Sequence, residues 1–416
     1  MLRSWVPGAD GSGFPAEHLP YGIIRVAGDA PRPGARIGDH VLDLARLVLD
    51  DVAGLEGLGA GLLDQPTLDG LMAAGTDRWR AVRARLTELV CDEAHRDAVM
   101  PALVPVHEAT LELPFTVADY VDFYSSIEHA TNLGRLFRPD AEPLLPNWRH
   151  LPVAYHGRAG TVVVSGTPVP RPSGQRRSPD GEVVFGPSTR LDIELEVGFV
   201  VGVPSPPGLP VPVEAAPDHV FGLVLVNDWS ARDIQAWEYQ PLGPFLGKSF
   251  ATTAAGWVTP LDAVAACRVR GPVQDPPPLP YLRPAGDWAL ALDLSVDLRP
   301  AGADAGVTVS RNSFARLYWQ MPQQLAHMTV NGAHLRTGDL FASGTVSGPD
   351  QGSEGSLIEM TRNGAEPLDV GGVARSFLED GDEVVLRGSA TVDDGVVITL
   401  GEAAGRIVPA PAGPVG

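Results

Sequence analysis

Short Val-rich runs interrupted by glycine and proline are the feature that most restricts how this chain can fold. Glycine and proline number 47 and 40 among the 416 residues, and they separate these runs instead of forming one low-complexity block. Because both residue types end strands and occupy turns, the pattern favours many short strands over a helical bundle. We therefore predict a large, twisted, mostly antiparallel β assembly. Beyond residue 115 the strand-and-turn segments are GTVVVSGTPV, LDIELEVGFVVGV, HVFGLVLVND, WALALDLSVDL, GSLIEMTRNG and GDEVVLRG.

The first 115 residues carry the signals of a small unit of their own. Strand-like runs over 21–49 flank Gly38-Asp39, a two-residue hairpin signal. A helix is predicted from Thr76, which we expect to cap it. The segment VPVHEATLELPF then predicts an extended linker, so we place a domain boundary near residue 115. The apolar residues that share one face of the helix are Trp79, Val82, Leu86, Leu89 and Val90.

Beyond residue 115, three short helices are predicted among the strands, near 126–133, 231–238 and 314–328. Pro322 falls inside the third, where it is expected to kink the helix or end it early. Asn363-Gly364 predicts a tight two-residue hairpin.

The charge balance limits the classes of partner. The chain has 31 basic and 51 acidic residues, a formal charge of -20, which repels nucleic acid and anionic membranes. An anionic substrate must therefore be held by locally concentrated Arg and Lys. Two cysteines are too few for a disulfide framework, and no apolar run approaches the ~20 residues that span a bilayer. With no apolar signal-peptide core at the N-terminus, we expect a cytoplasmic protein.

The stretch LDIELEVGFV, residues 191–200, reads as a strand with an acidic face. Leu191, Ile193, Leu195 and Val197 point one way in such a strand, and Asp192, Glu194 and Glu196 point the other. Either that face lies in water, or something positive lies against it.

A metal site is one explanation for this acidic face. Glu194, Glu196, Asp122 and Asp228 offer hard oxygen ligands without a Cys or His cluster. That donor set indicates Ca²⁺ or Mg²⁺ in preference to zinc. The alternative is a solvent-exposed strand, which would normally mix Lys, Thr and Ser among the acids.

The segment SARDIQAWEYQ, after an apolar strand, predicts a helix that Ser230 caps. Arg232, Gln235 and Tyr239 then share one face, which offers donors and a cation. The alternative is a solvated helix face with Asp228 as a turn residue.

The segment DFYSSIEHATNLG contains Ser125 and Glu128 at capping-box spacing, followed by His129 in the first turn of the helix. His129 is a candidate base only if a carboxylate from elsewhere orients it.

The segment LGPFLGKSFATT does not fit a phosphate-binding loop. Three residues separate Gly243 from Gly247 where that motif needs four, and Pro244 removes a backbone N–H. Lys248 and Thr252 remain as a charged and hydroxyl pair beside the acidic residues.

Taken together, these segments resemble the fumarylacetoacetase family, hydrolases that cleave a carbon–carbon bond at the end of tyrosine breakdown. The resemblance covers nearly the whole chain. It is carried by FPAEHLPYGI, IGDHVLDL, DFYSSIEHATNLG, LLPNWRHLPVAYHGRAGTVVVSGTPV, LDIELEVGF, VLVNDWSARDIQAWEYQPLGPFLGKSFATT, QQLAHMTVNG, GDLFASGTVSG and FLEDGDEVVLRG.

The resemblance implies a mainly β, α+β fold. A small N-terminal SH3-like barrel with a helical linker would occupy residues 1–115, and a large mixed β-roll catalytic domain residues 116–416. It further implies a homodimer and a bound Ca²⁺ or Mg²⁺, with Mn²⁺ as an alternative. Its metal ligands would be Asp122, Glu194, Glu196 and Asp228, with Lys248 and Thr252 close to a second, Mg²⁺ site.

The reaction that the resemblance implies is the hydrolysis of 4-fumarylacetoacetate, a β-diketo acid, to fumarate and acetoacetate. His129, paired with Glu359, would be the general base. Arg232, Gln235 and Lys248 would supply positive charge and donors to the oxyanion, and the metal would act on the diketo oxygens. The implied substrate contacts are Tyr124, Arg138, Tyr155, Gln235, Tyr239 and Thr345.

Two other functions would keep this fold. Related enzymes hydrolyse acylpyruvates and other diketo acids, or decarboxylate small oxo-acids, but they usually lack this N-terminal domain. A non-catalytic protein of the same fold would be expected to lose His129, Glu359 and Lys248, all of which are present.

Overall fold

The protein is mainly β, as predicted. The structure is a computed structural model that describes residues 2–50, 52 and 61–412. The strands in these ranges are β1 Tyr21–Val26, β2 Arg32–Ile37, β3 His40–Asp43, β4 Leu103–Pro105, β5 Ala109–Glu112, β6 Tyr120–Phe123, β7 Ala154–His156, β8 Val162–Val164, β9 Val169–Pro170, β10 Ser173–Arg177, β11 Val183–Pro187, β12 Leu191–Asp192, β13 Leu195–Val201, β14 Val220–Asp228, β15 Ser230–Ala231, β16 Thr252–Ala254, β17 Thr259–Pro260, β18 Arg268–Val269, β19 Ala289–Leu290, β20 Leu292–Arg299, β21 Val307–Ser313, β22 Leu340–Ala342, β23 Leu368–Val370, β24 Val373–Arg375, β25 Glu383–Thr391 and β26 Val397–Val408.

Helices are few and short by comparison. The α-helices of the described ranges are α1 Leu44–Leu49, α2 Asp69–Ala73, α3 Thr76–Cys91, α4 Arg96–Val99, α5 Ile127–Phe137, α6 Arg232–Glu238, α7 Met321–Thr329 and α8 Leu357–Met360. Short 3₁₀ turns include Glu93–His95, Met100–Ala102, Val106–Glu108, Ala159–Thr161, Ala216–His219, Leu261–Cys267, Pro280–Leu282 and Phe314–Arg316. Among the described residues, no helix combines the length and the apolar character that a bilayer crossing demands.

The N-terminal sheet has the strand order β4-β3-β2-β1-β5, a meander whose last strand returns beside the first. The hairpin predicted at Gly38-Asp39 is confirmed, since it joins β2 to β3 with Ile37 opposite His40. Helix α3 is confirmed, and it buries Val82, Leu86, Leu89 and Val90. The segment expected to be a linker is partly sheet, because β4 pairs with β3 and β5 with β1.

The larger part of the chain contains a mixed sheet in the order β7-β6-β22-β13-β14-β16-β8, to which β17 adds beside β14. Strands β6 and β22 are parallel, as are β16 and β8, and the remaining neighbours are antiparallel. A second sheet has the order β21-β20-β25-β26-β9. The two sheets share one core, in which Leu225 and Trp229 lie among Leu294, Leu386 and Leu400.

Helix ends differ from three predictions. Helix α3 is capped by Gly75 instead of Thr76, without a side-chain hydrogen bond. Ser126, not Ser125, caps α5 and accepts a 3.3 Å hydrogen bond from the His129 backbone N–H. Ala231, not Ser230, stands at the cap of α6, because the Ser230 hydroxyl donates back to the Asp228 carbonyl.

Two further predictions, about Pro322 and about Asn363-Gly364, were also wrong. The helix predicted near 314–328 begins only at Met321, so Pro322 lies in the first turn of α7, where its missing N–H is not needed and it does not kink the helix. Asn363-Gly364 does not join two strands. Both residues have positive φ in the turn after α8, and the Asn363 N–H donates to the Ile358 carbonyl.

Candidate active site

Four buried carboxylates meet at one end of the large mixed sheet. Asp122 lies on β6, Glu196 on β13 and Asp228 at the end of β14. Glu194 precedes β13, and the Asp228 N–H donates to its carbonyl. Each residue offers an oxygen within 4.8 Å of those from the other three. Sheet order thus collects acids from distant parts of the chain.

The predicted strand over 191–200 is broken in the middle. Strand β12 ends at Asp192 and pairs with β15, whereas β13 begins at Leu195 and pairs with β14 and β22. Every residue of the stretch is buried on both faces. Of the two explanations for the acidic face, a wet surface is therefore excluded, and positive groups do lie against it.

Lys248 and Arg232 supply that positive charge. The Lys248 Nζ lies 2.5 Å from Glu194 Oε2 and 2.8 Å from Asp228 Oδ2, and Arg232 Nη1 lies 2.8 Å from Glu194 Oε1. Burial raises the pKa of Glu194, but Lys248 and Arg232 outweigh it and lower the pKa well below its usual value. Burial opposes the charge of Lys248 too, yet Asp228 and Glu194 raise its pKa. Glu194 and Lys248 are therefore ionised.

Asp122 and Glu196 are the two carboxylates without such a partner. Burial first, and the neighbouring carboxylates next, raise the pKa of both groups well above the usual value. Asp122 Oδ1 and Glu196 Oε1 are buried and have no hydrogen-bond partner among the described residues. Two uncompensated carboxylates with orphaned oxygens are the environment in which a hard divalent cation would restore the charge balance. The cluster therefore suits a divalent metal.

A glycine allows the backbone to approach this cluster. The Gly344 N–H donates to Glu196 Oε2 at 3.1 Å. Gly344 has φ of +77°, and a Cβ there would lie 2.1 Å from the Phe123 carbonyl oxygen. Another residue would be strained at this position.

Asp228 is held by two further groups. The Tyr155 hydroxyl donates to Asp228 Oδ2 at 2.7 Å, and the Thr252 hydroxyl lies 3.2 Å from Oδ1. Thr252 faces Asp228 because β16 pairs with β14 at that register. Both predicted residues thus lie at the cluster, and Tyr155 is bound to a carboxylate.

A histidine–glutamate pair lies beside the cluster. His129 Nδ1 is 2.6 Å from Glu359 Oε2, and both side chains are buried. Burial raises the pKa of Glu359, but His129 and further hydrogen bonds lower it overall. Because an ionised carboxylate only accepts, Nδ1 carries the proton and the lone pair is on Nε2. This is the tautomer that a general base requires.

Three residues that the sequence reasoning missed hold Glu359 in place. Ser356 Oγ and Ser347 Oγ donate to Glu359 Oε2 at 2.6 and 2.9 Å, and Asn132 Nδ2 donates to Oε1 at 3.0 Å. Asn132 lies three residues after His129 on the same helix face, a spacing that could have indicated it. Ser347 has no such local signal.

Electrostatics connect this pair to the acidic cluster. His129 is one of the groups that lower the pKa of Glu194. The Tyr124 ring packs edge-on against His129, 5.3 Å between centroids. Burial chiefly, then Glu359 and Glu194, raise the pKa of Tyr124, while Arg138 and Arg232 oppose them. Tyr124 therefore lies between the histidine, the cluster and two arginines.

Several donors near the cluster have no protein partner. Among the described residues, Arg232 Nη2, Arg138 Nε and the Thr345 hydroxyl are buried without a hydrogen bond. Arg232 Nη1 also contacts Gln235 Oε1 at 3.2 Å. Tyr239 directly follows α6 as its C-cap, and its hydroxyl accepts a hydrogen bond from the Gln240 side chain. Unpaired buried donors are costly unless a ligand binds them.

A cleft of about 920 Å³ lies elsewhere, between the N-terminal sheet and strands β20, β21 and β25. Arg36, Asp293, Arg311 and Arg387 are among its lining residues, and none of the predicted site residues lines it. The chemistry of the acidic cluster, not cavity size, identifies the candidate active site.

Comparison with known proteins gives matches along almost the entire chain. Residues 17–114 match the family model described as fumarylacetoacetase N-terminal, and residues 120–408 match fumarylacetoacetate hydrolase C-terminal. The chain is 46% identical to a fumarylacetoacetase from Homo sapiens over 98% of this chain and 99% of the relative. It is 47% identical to one from Caenorhabditis elegans, over 98% and 100%, and 44% identical to one from Arabidopsis thaliana, over 99% of both.

A solved structure is similar in fold. The fumarylacetoacetate hydrolase from psychrophilic Exiguobacterium antarcticum superposes with a TM-score of 0.54 at 17% identity, over 94% of this chain and 100% of that one.

Proposed function

The chain belongs to the fumarylacetoacetase family, and on that premise we propose that its His129–Glu359 pair and acidic cluster form one active site. The protein is an enzyme that hydrolyses the carbon–carbon bond of 4-fumarylacetoacetate to fumarate and acetoacetate. The observation that supports the site assignment most directly is the 2.6 Å contact between His129 and Glu359 beside four buried carboxylates.

His129 is the general base of this mechanism. With Nδ1–H bound to Glu359, the Nε2 lone pair takes a proton from water, and the water oxygen forms a bond to the ketone carbon on the fumaryl side while the π pair of that carbonyl moves to its oxygen. Glu359 stabilises the resulting imidazolium. The oxyanion then re-forms the C=O bond, now that of the new carboxyl group of fumarate, as the carbon–carbon bond breaks and its electron pair goes to the acetoacetyl carbon. The proton held by His129 is then available to that carbon.

Arg232 and Lys248 stabilise negative charge that develops on oxygen. Arg232 Nη2 is unpaired among the described residues, and Arg232 and Lys248 are positioned by Glu194 and Asp228 before substrate binds. Each preorganised donor of this kind lowers the activation barrier by about 3 kcal/mol. Gln235, which contacts Arg232, keeps the guanidinium in place.

Asp122, Glu194, Glu196 and Asp228 would hold the divalent cation, Ca²⁺ or Mg²⁺, with Mn²⁺ as an alternative. When bound, the cation supplies Lewis-acid stabilisation to oxygens of the β-diketo group. Lys248 lowers the pKa of Glu194 and orients both Glu194 and Asp228. Lys248 and Thr252, both bound to Asp228, would lie close to a second, Mg²⁺ site.

The residues that would contact the substrate are Tyr124, Arg138, Tyr155, Gln235, Tyr239 and Thr345. Arg138 has an unpaired buried Nε, and its Nη2 is fixed by the Pro143 carbonyl at 2.7 Å. A guanidinium held in this way suits a substrate carboxylate. On a chain of formal charge -20, such local cations are needed to bind an anion.

Loss of the ultraviolet absorbance of the fumarylacetoacetate diketone tests the proposal. The wild type with divalent cation should remove the absorbance and produce fumarate and acetoacetate, and a chelator should stop the reaction. His129→Ala should abolish turnover while substrate-analogue binding remains. Near-wild-type turnover by this variant would exclude His129 as the base, and turnover that persists after full chelation would exclude the metal.

Family membership also supports three broader proposals. We place the enzyme at the last step of tyrosine and phenylalanine catabolism, in the cytoplasm.

A homodimer is proposed as well. Exposed apolar side chains such as Leu242 and Phe245, 98% and 65% exposed, would be stabilised if a second subunit covered them. Sedimentation analysis would test the dimer, since a monomer at micromolar concentration contradicts it. Domain boundaries at 1–115 and 116–416 stay a prediction.

A further inference from the structure

Asp192 is a buried carboxylate that the mechanism above does not use. It is 0% exposed. Its Oδ2 accepts hydrogen bonds from Arg232 Nε at 2.8 Å and from the Ile358 N–H at 3.1 Å, and its Oδ1 from the Leu357 N–H at 2.7 Å and the Ile193 N–H at 2.8 Å. One carboxylate therefore joins three separate parts of the chain.

Two of these bonds fix the start of α8. Leu357 and Ile358 are the first two residues of that helix, and Glu359 is the third. Ser356 stands at the cap position, but its hydroxyl donates to Glu359 instead of capping the helix. Asp192, on strand β12, thus accepts hydrogen bonds from the first N–H groups of α8. In most helices the side chain of the N-cap residue accepts such bonds. The position of Glu359 depends on this contact.

A third bond fixes Arg232. With Nε on Asp192 and Nη1 on Glu194, the plane of the guanidinium is set by two carboxylates, and only Nη2 is unpaired among the described residues. Asp192 therefore holds both the group that orients the base and the group that would face the oxyanion. Both of its oxygens are taken up by these four protein donors, so it acts through Arg232 and Glu359.

We propose that Asp192 is a positioning residue that sets the distance between Arg232 and the Glu359–His129 pair. This inference rests on the proposed function for its kinetic consequence, but its structural part does not depend on which substrate is cleaved. A misplacement of catalytic groups by about 1 Å can cost about 10²-fold in rate.

The test compares Asp192→Asn with a matched control, Asp382→Asn. Asp382 is also 0% exposed and also accepts four hydrogen bonds, from Arg375 Nε and Nη2 at 2.8 and 3.0 Å and from the Ala301 and Glu379 N–H groups at 2.9 and 2.8 Å. None of its partners belongs to the candidate site. Both variants lose one buried, arginine-paired carboxylate, so both lose stability.

Two readouts separate positioning from stability, at a temperature where both variants are folded. The first is kcat with fumarylacetoacetate: Asp192→Asn should lose about 10²-fold with a smaller change in KM, and Asp382→Asn should keep the wild-type kcat. The second is the downfield proton NMR resonance of His129 Nδ1–H, assigned by its absence in His129→Ala. It should shift or broaden in Asp192→Asn and be unchanged in Asp382→Asn.

Several outcomes would overturn the inference. Wild-type kcat and an unmoved resonance in Asp192→Asn would do so, as would equal losses in both variants, which would reduce Asp192 to a general stabilising residue. If Asp192→Asn does not fold, the smaller Asp192→Ser, with the same expected direction, replaces it. Because the resonance is measured without substrate, a wild type that fails to cleave fumarylacetoacetate would refute the proposed function while a shifted resonance still supports the positioning role.

Discussion

The substitution Glu359→Gln tests the histidine–glutamate pair with almost no change in side-chain size. Glu359 uses both oxygens as acceptors, Oε2 for His129, Ser347 and Ser356 and Oε1 for Asn132. Glutamine has one acceptor oxygen and one NH₂ donor. An NH₂ in the place of Oε2 therefore removes the acceptor of three contacts, and an NH₂ in the place of Oε1 removes the acceptor of one.

The two orientations of the amide have different consequences. If the NH₂ faces His129, Nδ1 must accept, the proton moves to Nε2, and the lone pair needed to take a proton from water is lost. If the NH₂ faces Asn132, the Asn132 amide must turn so that its Oδ1 accepts in place of the present Nδ2 donor. In both cases the negative charge that would stabilise the imidazolium is gone.

The size of the expected loss follows from the role of a general base. Such a base accelerates a reaction about 10²–10⁴-fold, which corresponds to lowering the activation barrier by about 3–5 kcal/mol. We expect this loss in kcat, with KM nearly unchanged, because Glu359 orients His129 and does not bind substrate. Adding Asn132→Asp should restore part of the activity, since a carboxylate at position 132 can only accept and so directs the glutamine NH₂ to itself and the glutamine oxygen to His129. Asn132→Asp alone should lower activity, because it places two carboxylates side by side.

The assay is the decrease of diketone absorbance at saturating substrate and divalent cation, with chemical denaturation to show that each variant is folded. A Glu359→Gln enzyme with wild-type kcat would refute the assignment. A loss expressed only in KM would instead move Glu359 to substrate binding.

Three further predictions concern the metal, the acidic cluster and a buried histidine. Glu196→Gln should weaken divalent-cation binding, because it removes one of the two carboxylates without a positive partner; unchanged Ca²⁺ and Mg²⁺ affinity by calorimetry would contradict the ligand assignment. Lys248→Met should lower the free energy of unfolding by about 3–5 kcal/mol in chelator, since it leaves Asp228 without its cation and Glu194 with Arg232 alone, and by less with divalent cation present. An equal loss in both buffers would argue against a cation at the cluster. Burial, then Arg83, lowers the pKa of His18 from 6.5 to about 3, so the unfolded chain binds the proton first as pH falls. The contribution of neutral His18 to the free energy of unfolding is fully present above pH 6.5 and should fall by about 3 kcal/mol by pH 4.5. Urea denaturation at these two pH values should show this part of the loss in the wild type and not in His18→Gln.

Local signals account for the parts of the fold that the sequence predicted well. The hairpin at Gly38-Asp39, the apolar face of α3 and the many short strands all depend on residues within a few positions of each other. The same signals misled where neighbouring residues compete. Ser125 and Ser126 both precede α5, and spacing alone favoured Ser125 as the cap. Ser126 caps the helix, while the Ser125 hydroxyl accepts a 2.7 Å bond from Gln324.

The stretch 191–200 shows a second kind of limit. Its alternation of apolar and acidic residues predicts one continuous strand, but the chain pairs with β15 up to Asp192 and with β14 from Leu195. The strand with which each part pairs depends on the order of strands in the sheet. The periodicity of side chains along one strand carries no information about that order. The acids of this stretch consequently separate, with Glu194 and Glu196 at the cluster and Asp192 on the first N–H groups of α8.

The sequence by itself determined that the chain is mainly β, and it determined which chemical groups are available. These groups are an excess of carboxylates without a Cys or His cluster, a histidine on a short helix, and acidic residues at the ends of apolar strands. Only the tertiary structure decided which groups meet. His129 and Glu359 are 230 residues apart, and Asp192 and Leu357 are 165 apart. Turn chemistry and side-chain periodicity act over a few residues, whereas these contacts depend on strand order and register across the whole chain.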